Sequence, residues 1–241
     1  MRGAALLIVV MAGVGRAAAA ADDPPICAAR PGKSTPPCTV PAGHFQLETG
    51  LADWSLQKGQ GERDTSLVIG ETTFKYGLDD RSDIEVDVTL AYKRQLTAPG
   101  GSFQVAIMPF VKAPTARRSL GNGEWEAGVL VPIGFSIADS PFSVGLTPEV
   151  DWVADGDGHG HHAAMAQVAS IGLQASDKLS LSADLWGQWD WDPAGTTRQE
   201  TADASVAYLV SDSLQLDGGA NIGLNRQSPD VELYAGVSKR F

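Results

Sequence analysis

Alternation of apolar and polar residues, with a period of two, runs through the chain from Gly43 to Phe241. Successive side chains of a β-strand point to opposite faces of the sheet, so this period predicts strands with one apolar and one polar face. The pattern is clearest in the segment 82–92, whose apolar face holds Ile84, Val86, Val88, Leu90 and Tyr92. No segment combines a period of 3.6 residues with helix caps, and the sequence therefore predicts an all-β fold.

Eleven segments of about ten residues share the alternation. They are 44–56, 65–76, 82–92, 103–113, 124–137, 142–152, 163–174, 179–189, 202–210, 214–224 and 231–241. Strands of soluble sheets usually have about five or six residues, whereas about ten are needed to cross a bilayer as a tilted strand. Short connections, such as 175–178, alternate with longer loops, such as 190–199. This arrangement is typical of an up-and-down antiparallel transmembrane β-barrel, with short periplasmic turns and longer external loops.

The strand count raises a question of parity. Barrels made by one bacterial chain have an even number of strands, and both chain ends then lie on the periplasmic side. Counting back from Phe241, one strand is missing between Arg81 and Thr97. Either this region holds two short strands joined by a tight turn, or its division into strands is wrong. We therefore expect about twelve strands (10–12).

The first 21 residues have the composition of a secretory signal peptide. Arg2 supplies the positive charge, 4–14 is apolar, and 17–21 is a run of small residues that suits cleavage before Asp22. We expect residues 1–21 to be removed during export, and we expect the protein to lie in the cell outer membrane of a Gram-negative bacterium.

A proline-rich segment, 22–42, precedes the first strand and shows neither a helix period nor a strand period. We interpret it as a loop-like periplasmic N-terminal tail, and 43–241 as the barrel. The tail contains Cys27 and Cys38, and in an oxidising compartment this pair predicts one disulfide, with two free thiols as the alternative. Because the predicted disulfide loop lies outside the strands, it is expected to stabilise the tail alone.

Alternation alone does not say whether the apolar faces contact lipid or a protein core. A soluble exported β-sandwich would bury them against each other, whereas a membrane barrel turns them to lipid and its polar faces to a wet lumen. Four tryptophans fall where strands meet long loops, as an interfacial belt requires: Trp54, Trp152, Trp189 and Trp191. Phe241, on the apolar face of the last strand, resembles the signal recognised by the barrel-assembly machinery. The sequence therefore favours a membrane barrel, with outer-membrane lipid as a partner.

The net charge is −11, and a chain this acidic is a poor binder of nucleic acid, because phosphate contacts need lysine and arginine. The polar faces of the strands carry the candidate lumen-lining residues: Asp83, Glu85, Asp87, Glu149, Asp151, Asp184, Asp203, Asp217, Glu232 and Arg240. The acids predict either a cation-preferring lumen or a plugged interior, in which they form salt bridges with Lys75, Lys112 and Arg240.

One cluster of potential metal ligands lies in the long loop at 154–162. It predicts either a site for a divalent cation or a flexible, solvated loop, and its members are Asp155, Asp157, His159, His161 and His162. His44 is the only histidine outside this loop and stands at the start of the first strand. The sequence therefore predicts no catalytic histidine beside a nucleophile, and we expect neither an enzyme nor a cofactor.

Four stretches resemble one family of outer-membrane barrels. They are CTVPAGHFQLETG at 38–50, KYGLDDRSDIEV at 75–86, DVTLAYK at 87–93 and QLDGGANIGLNRQSPDVELYAGVSKRF at 215–241. Together they are similar to the transporter family labelled “MetA-pathway of phenol degradation”. The resemblance implies a porin-like channel for uptake of small solutes, aromatic or hydrophobic ones among them, and it brings no catalytic residues.

Members of that family usually have a further stretch between the parts that match 75–86 and 87–93, and here the two parts abut. A lost loop and much of a strand pair at this point agree with the missing strand in the count. Two other functions stay open: a structural or adhesive barrel without transport, and a soluble exported β-sandwich that binds a ligand.

Overall fold

The computed structural model describes residues 24–59, 62–114 and 123–241, and the predicted signal peptide at 1–21 lies outside them. Within these ranges fourteen β-strands form a single antiparallel sheet. The strands are β1 (Phe45–Gly59), β2 (Glu62–Val68), β3 (Glu71–Asp79), β4 (Ser82–Val86), β5 (Thr89–Gln95), β6 (Phe103–Lys112), β7 (Glu126–Leu130), β8 (Ile133–Ser136), β9 (Phe142–Ala154), β10 (His161–Gln174), β11 (Leu179–Asp190), β12 (Thr197–Ser211), β13 (Leu214–Gly223) and β14 (Val231–Arg240). No helix in the described ranges is long and apolar enough to span a membrane.

The sheet closes into a barrel because its first and last strands pair with each other. The pairing of β1 with β14 runs from Gln46 opposite Arg240 to Leu56 opposite Val231. β2 and β3 share one position in the wall beside β1, and β7 and β8 share another between β6 and β9. The fourteen segments therefore form a barrel of twelve strands, which confirms the predicted architecture.

The segment 82–92 contains two strands and a turn, so its prediction as one strand is wrong. β4 and β5 pair up to Val86 opposite Leu90. The residues between these two form the tight turn that the parity argument allowed. The Asp87 carboxylate accepts hydrogen bonds from the backbone N–H and the hydroxyl of Thr89, at 2.6 and 2.9 Å, and stabilises the reversal. Since Val86 and Leu90 are an even number of residues apart, the alternation stays in phase through the turn and cannot reveal it.

Two other predicted strands, 65–76 and 124–137, are also interrupted. The first breaks at Gly70, whose φ of 76° is a left-handed conformation that suits glycine. The second breaks at Pro132, because proline has no N–H to donate to the ladder. These two breaks explain why fourteen segments occupy twelve positions in the wall.

The barrel is apolar outside and polar inside. On β11 the side chain of Leu185 is 59% exposed, whereas that of its neighbour Asp184 is 4% exposed. On β4, the side chain of Val86 is likewise exposed, whereas that of its neighbour Glu85 is buried. A soluble sandwich would bury its apolar faces, so this distribution excludes that alternative and matches a barrel wall in lipid.

Aromatic residues mark both ends of the barrel. Trp152, near the end of β9, and Trp191, just after β11, are 51% and 47% exposed at the end that carries the long loops. Phe241 lies at the opposite end, where its backbone N–H donates to the carbonyl of Phe45 at 2.7 Å. Exposed aromatic rings at these heights are suited to a membrane interface.

Candidate functional site

Residues 24–41, which we call the inserted segment, lie inside the barrel among its inward-facing side chains. Ile26, Cys27 and Val40 are 8%, 7% and 0% exposed, and a disulfide joins Cys27 to Cys38. The segment belongs to no strand, as the sequence predicts, but it is not a tail outside the barrel. The disulfide loop closes within the barrel instead.

The inserted segment is held mainly through its backbone. Glu48 accepts hydrogen bonds from the N–H groups of Ala29 and Arg30, at 3.0 and 3.2 Å. Further bonds join the wall to the segment: Asp83 accepts from the Val40 N–H, and side chains of Gln46, Gln215 and Arg240 donate to the carbonyls of Cys27, Arg30 and Pro24. The inserted segment belongs to no helix or strand, so regular secondary structure does not satisfy its backbone hydrogen bonds. Its buried backbone N–H and C=O groups therefore need side chains of the wall as partners.

Two basic side chains of the inserted segment meet acids of β13 and β14. The guanidinium of Arg30 lies 3.2 Å from the Asp217 carboxylate, and Lys33 Nζ lies 3.9 Å from that of Glu232. A Cβ at position 236 would collide with the Arg30 guanidinium, so Gly236 leaves the room that this contact needs. The segment therefore brings positive charge to an acidic part of the wall.

Four charged side chains form a buried ion-pair cluster on β1, β3, β4 and β5. Lys75 Nζ lies 2.6 Å from Glu48 and 3.3 Å from Glu85, and Lys93 Nζ lies 2.7 Å from Glu85. None of these side chains is more than 6% exposed. Buried charges are tolerated when they are paired in this way. The ion-pair cluster therefore lines this side of the barrel interior.

The structure places the predicted lumen-lining residues in different surroundings. Asp83 and Glu85 lie at the ion-pair cluster, and Arg240 is buried against Pro24. Buried or half-buried side chains on the other strands are those of Glu149, Asp151, Asp184, Asp203, Asp217 and Glu232. Asp87 is exposed in the turn between β4 and β5, where it accepts a hydrogen bond from the Thr73 hydroxyl at 3.4 Å and lines a cavity beside the ion-pair cluster.

The bases that were expected to neutralise these acids have separate partners. Lys75 enters the ion-pair cluster, whereas Lys112 pairs with Glu126 at the loop end of β6, at 2.6 Å. Sequence reasoning did not identify Glu48 and Lys93, although both stand at inward positions of the alternation. It also could not place Arg30 and Lys33 of the inserted segment against the wall.

His162 ties two external loops together. Its ring nitrogens form hydrogen bonds with the carboxylates of Asp155 and Asp190, at 2.8 and 2.7 Å. Burial alone would lower the pKa of His162, but the hydrogen bonds to the two carboxylates raise this pKa above its ordinary value. The β9–β10 loop is thereby joined to the end of β11.

The predicted metal ligands of this loop, apart from the pair His162 and Asp155, contact different partners. His161 forms a hydrogen bond with the carbonyl of Trp125 at 2.7 Å, and Asp157 accepts one from the backbone N–H of His159 at 2.8 Å. Across the ranges that the structure describes, no group of three or more histidine, cysteine, aspartate or glutamate residues is arranged to hold a metal ion. These side chains instead stabilise the loop.

Space remains in the barrel interior beside the inserted segment. One cavity of about 310 Å³ lies between the segment and the wall formed by β8 to β11. A second, of about 410 Å³, shares Pro31, Ser143 and Ser182 with the first and reaches the end of the barrel that carries the short turns. The two cavities therefore adjoin each other along one side of the segment.

The chain is similar to known barrels in sequence and in structure. The family described as “Putative MetA-pathway of phenol degradation” matches residues 28–241, and no curated protein matches the chain. The COG4313 outer membrane channel from Pseudomonas putida F1 has 16% identity and a TM-score of 0.66, over 85% of this chain and 98% of that one. This likeness shows the same fold.

Two further solved structures are similar at TM-scores below 0.5. The translocator domain of autotransporter NalP from Neisseria meningitidis has 12% identity and a TM-score of 0.45, over 84% of this chain and 90% of that one. The Ralstonia pickettii toluene transporter TbuX has 11% identity and a TM-score of 0.39, over 86% of this chain and 92% of that one.

Proposed function

Since this chain belongs to the family of outer-membrane β-barrels described as “Putative MetA-pathway of phenol degradation”, we propose that it is a non-enzymatic channel for small solutes. The observation that carries the proposal is the polar interior, which the inserted segment fills only in part, leaving two adjoining cavities. The family description supports aromatic or hydrophobic molecules among the solutes.

Export and assembly belong to the same proposal. The chain would be exported by a signal peptide at 1–21 and folded by the barrel-assembly machinery through the strand that ends at Phe241. The exposed apolar side chains of the wall, such as Leu185, would then contact outer-membrane lipid.

The second candidate is a structural or adhesive barrel with a blocked interior. The observation that favours it is the number of buried anchors on the inserted segment, including those to Glu48 and Asp83. If these anchors never release, and if the cavities do not connect the two ends, a folded barrel would carry no solute.

Planar-bilayer recording of the refolded mature chain separates the two candidates. The channel proposal predicts discrete conductance steps, and it predicts larger steps for Arg30→Ala, because this variant removes the salt bridge between the segment and Asp217. Arg198→Ala is the matched control, since Arg198 is 55% exposed and pairs with Glu200 on the outside. Folded protein that neither conducts ions nor takes up a small neutral solute into vesicles, in all three chains, would support the blocked barrel.

A further inference from the structure

The two sides of the inserted segment differ in their chemistry. On one side lies the ion-pair cluster. On the other side, the two adjoining cavities are lined by ten side-chain hydroxyls, among them those of Ser34, Ser136, Ser143, Ser170 and Ser182. Since the segment narrows the barrel at this height, a solute that passes has to follow one of these two sides.

We propose that solutes pass on the hydroxyl-lined side, which we call the serine passage, and that it selects small uncharged molecules carrying hydroxyl or amide groups. The inference rests on the proposed channel function and adds a route and a class of substrate to it. The serine passage ends at the short turns, where Ser140, Gln174 and Ser180 lie. Short turns face the periplasm in barrels of this kind, so the passage is the exit of the channel.

Small residues keep the serine passage open. Gly145 and Gly172 stand among the serines on β9 and β10. A Cβ at position 145 would collide with the Ser170 hydroxyl, and a Cβ at position 134 would lie 3.2 Å from the ring of Pro37. Larger side chains at these positions would therefore fill the space between the wall and the inserted segment.

One ionisable side chain, that of Asp184, is found among the residues that line the two cavities. The carboxylate of Asp184 is already in contact with the inserted segment. The backbone N–H of Lys33 forms a hydrogen bond with its carboxylate, and a Cβ at position 32 would lie 2.6 Å from Asp184 Oδ2, which shows how closely Gly32 packs there. Asp184 therefore holds the segment in place, and because it is only 4% exposed, its carboxylate offers a passing ion little direct contact.

A third cavity, on the side of the ion-pair cluster, is lined by charged side chains. It has a volume of about 310 Å³ and is lined by Arg30, Glu48, Lys75 and Glu85 together with Thr73. An ion entering the serine passage would lose water without gaining a partner of opposite charge, which is unfavourable. An uncharged solute with hydroxyl or amide groups can exchange its hydrogen bonds with water for bonds to the serines.

Uptake into proteoliposomes that contain the full mature chain tests the substrate class. The probes are radiolabelled erythritol, which is neutral, with choline as the cation and threonate as the anion of similar size. We expect erythritol to enter at least about tenfold faster than either ion, because neither ion finds a partner in the passage. Entry of choline at an equal or higher rate would overturn the inference. No entry of any probe and no conductance would instead contradict the channel function itself.

Thiol labelling tests the route. Both native cysteines of the described chain are in the disulfide, so Ser182→Cys introduces a single free thiol in the serine passage, and Thr73→Cys introduces one in the charged cavity as the matched control. After folding, a bulky uncharged maleimide at position 182 should reduce erythritol uptake at least fivefold, and at position 73 it should change uptake less than twofold. Block at position 73, or no block at a fully labelled position 182, would overturn the route.

Discussion

Replacement of Lys93 by methionine should destabilise the barrel by about 3 kcal/mol. Lys93 Nζ lies 2.7 Å from Glu85, and the two side chains are 0% and 6% exposed. Removing one partner of a buried ion pair costs about 3–5 kcal/mol, because the other charge is left buried and unpaired. Since Lys75 still lies 3.3 Å from the Glu85 carboxylate, we expect the lower end of this range.

The next residue along β5 supplies the control. Arg94 lies 2.9 Å from Asp79, but these side chains are 39% and 56% exposed, and an exposed pair contributes about 0–1 kcal/mol. Urea titrations of both refolded variants in lipid vesicles, followed by tryptophan fluorescence, give the free energies of unfolding. If Lys93→Met costs no more than Arg94→Met, the ion-pair cluster does not stabilise the barrel. The double variant Lys93→Met, Glu85→Gln should recover part of the loss, because it leaves one acid and one base in the ion-pair cluster, Glu48 and Lys75.

Three further predictions concern the wall, the loops and the inserted segment. Leu185 is 59% exposed on the outer face, so Leu185→Arg should cost about 2–4 kcal/mol near the bilayer midplane, whereas Leu185→Met should be nearly neutral; equal urea stability of the two in vesicles would contradict lipid contact. Because the pKa of His162 is raised above its ordinary value of 6.5, the stability that His162 adds over His162→Gln should be largest below that pH and should fall as the pH rises through the raised pKa; a difference independent of pH would refute the loop tie. Cys27→Ser should leave the barrel folded, because no strand contains the disulfide, but it should loosen the inserted segment and increase conductance, since a disulfide between residues 11 positions apart can constrain about 3 kcal/mol of chain entropy; failure to assemble on gels would show that the segment is needed for folding.

The outer wall could be predicted from the sequence because every strand turns its apolar side chains to lipid and its polar side chains to the wet interior. The contrast between Asp184 and Leu185 follows from their positions in the alternation alone. The division of the segment 82–92 could not be predicted in the same way, because the hairpin keeps its apolar residues on one face. A different signal, the even number of strands, located the missing reversal, and Asp87 accounts for it through its bonds to Thr89.

The interior was less predictable because its contacts join residues far apart in the chain. The inserted segment has no period, and its place became visible only with its bonds to Glu48 and Asp83. The pairing of Lys93 with Glu85 depends on the register of β4 and β5, which alternation does not fix. Gly236 carried a weak signal, since glycine within a strand suggests close approach of another group, and here that group is Arg30.

Thiol labelling in lipid vesicles tests the central claim, a lipid-facing wall around a wet interior, most directly. The two variants are Leu185→Cys, on the outer face of β11, and Ser182→Cys, on its inner face. The account predicts that the thiol at 185 reacts with an apolar reagent dissolved in the membrane and resists a bulky water-soluble one. The thiol at 182 should show the opposite preference. A thiol at 185 that reacts with the water-soluble reagent, or that is protected from both reagents, would contradict the account.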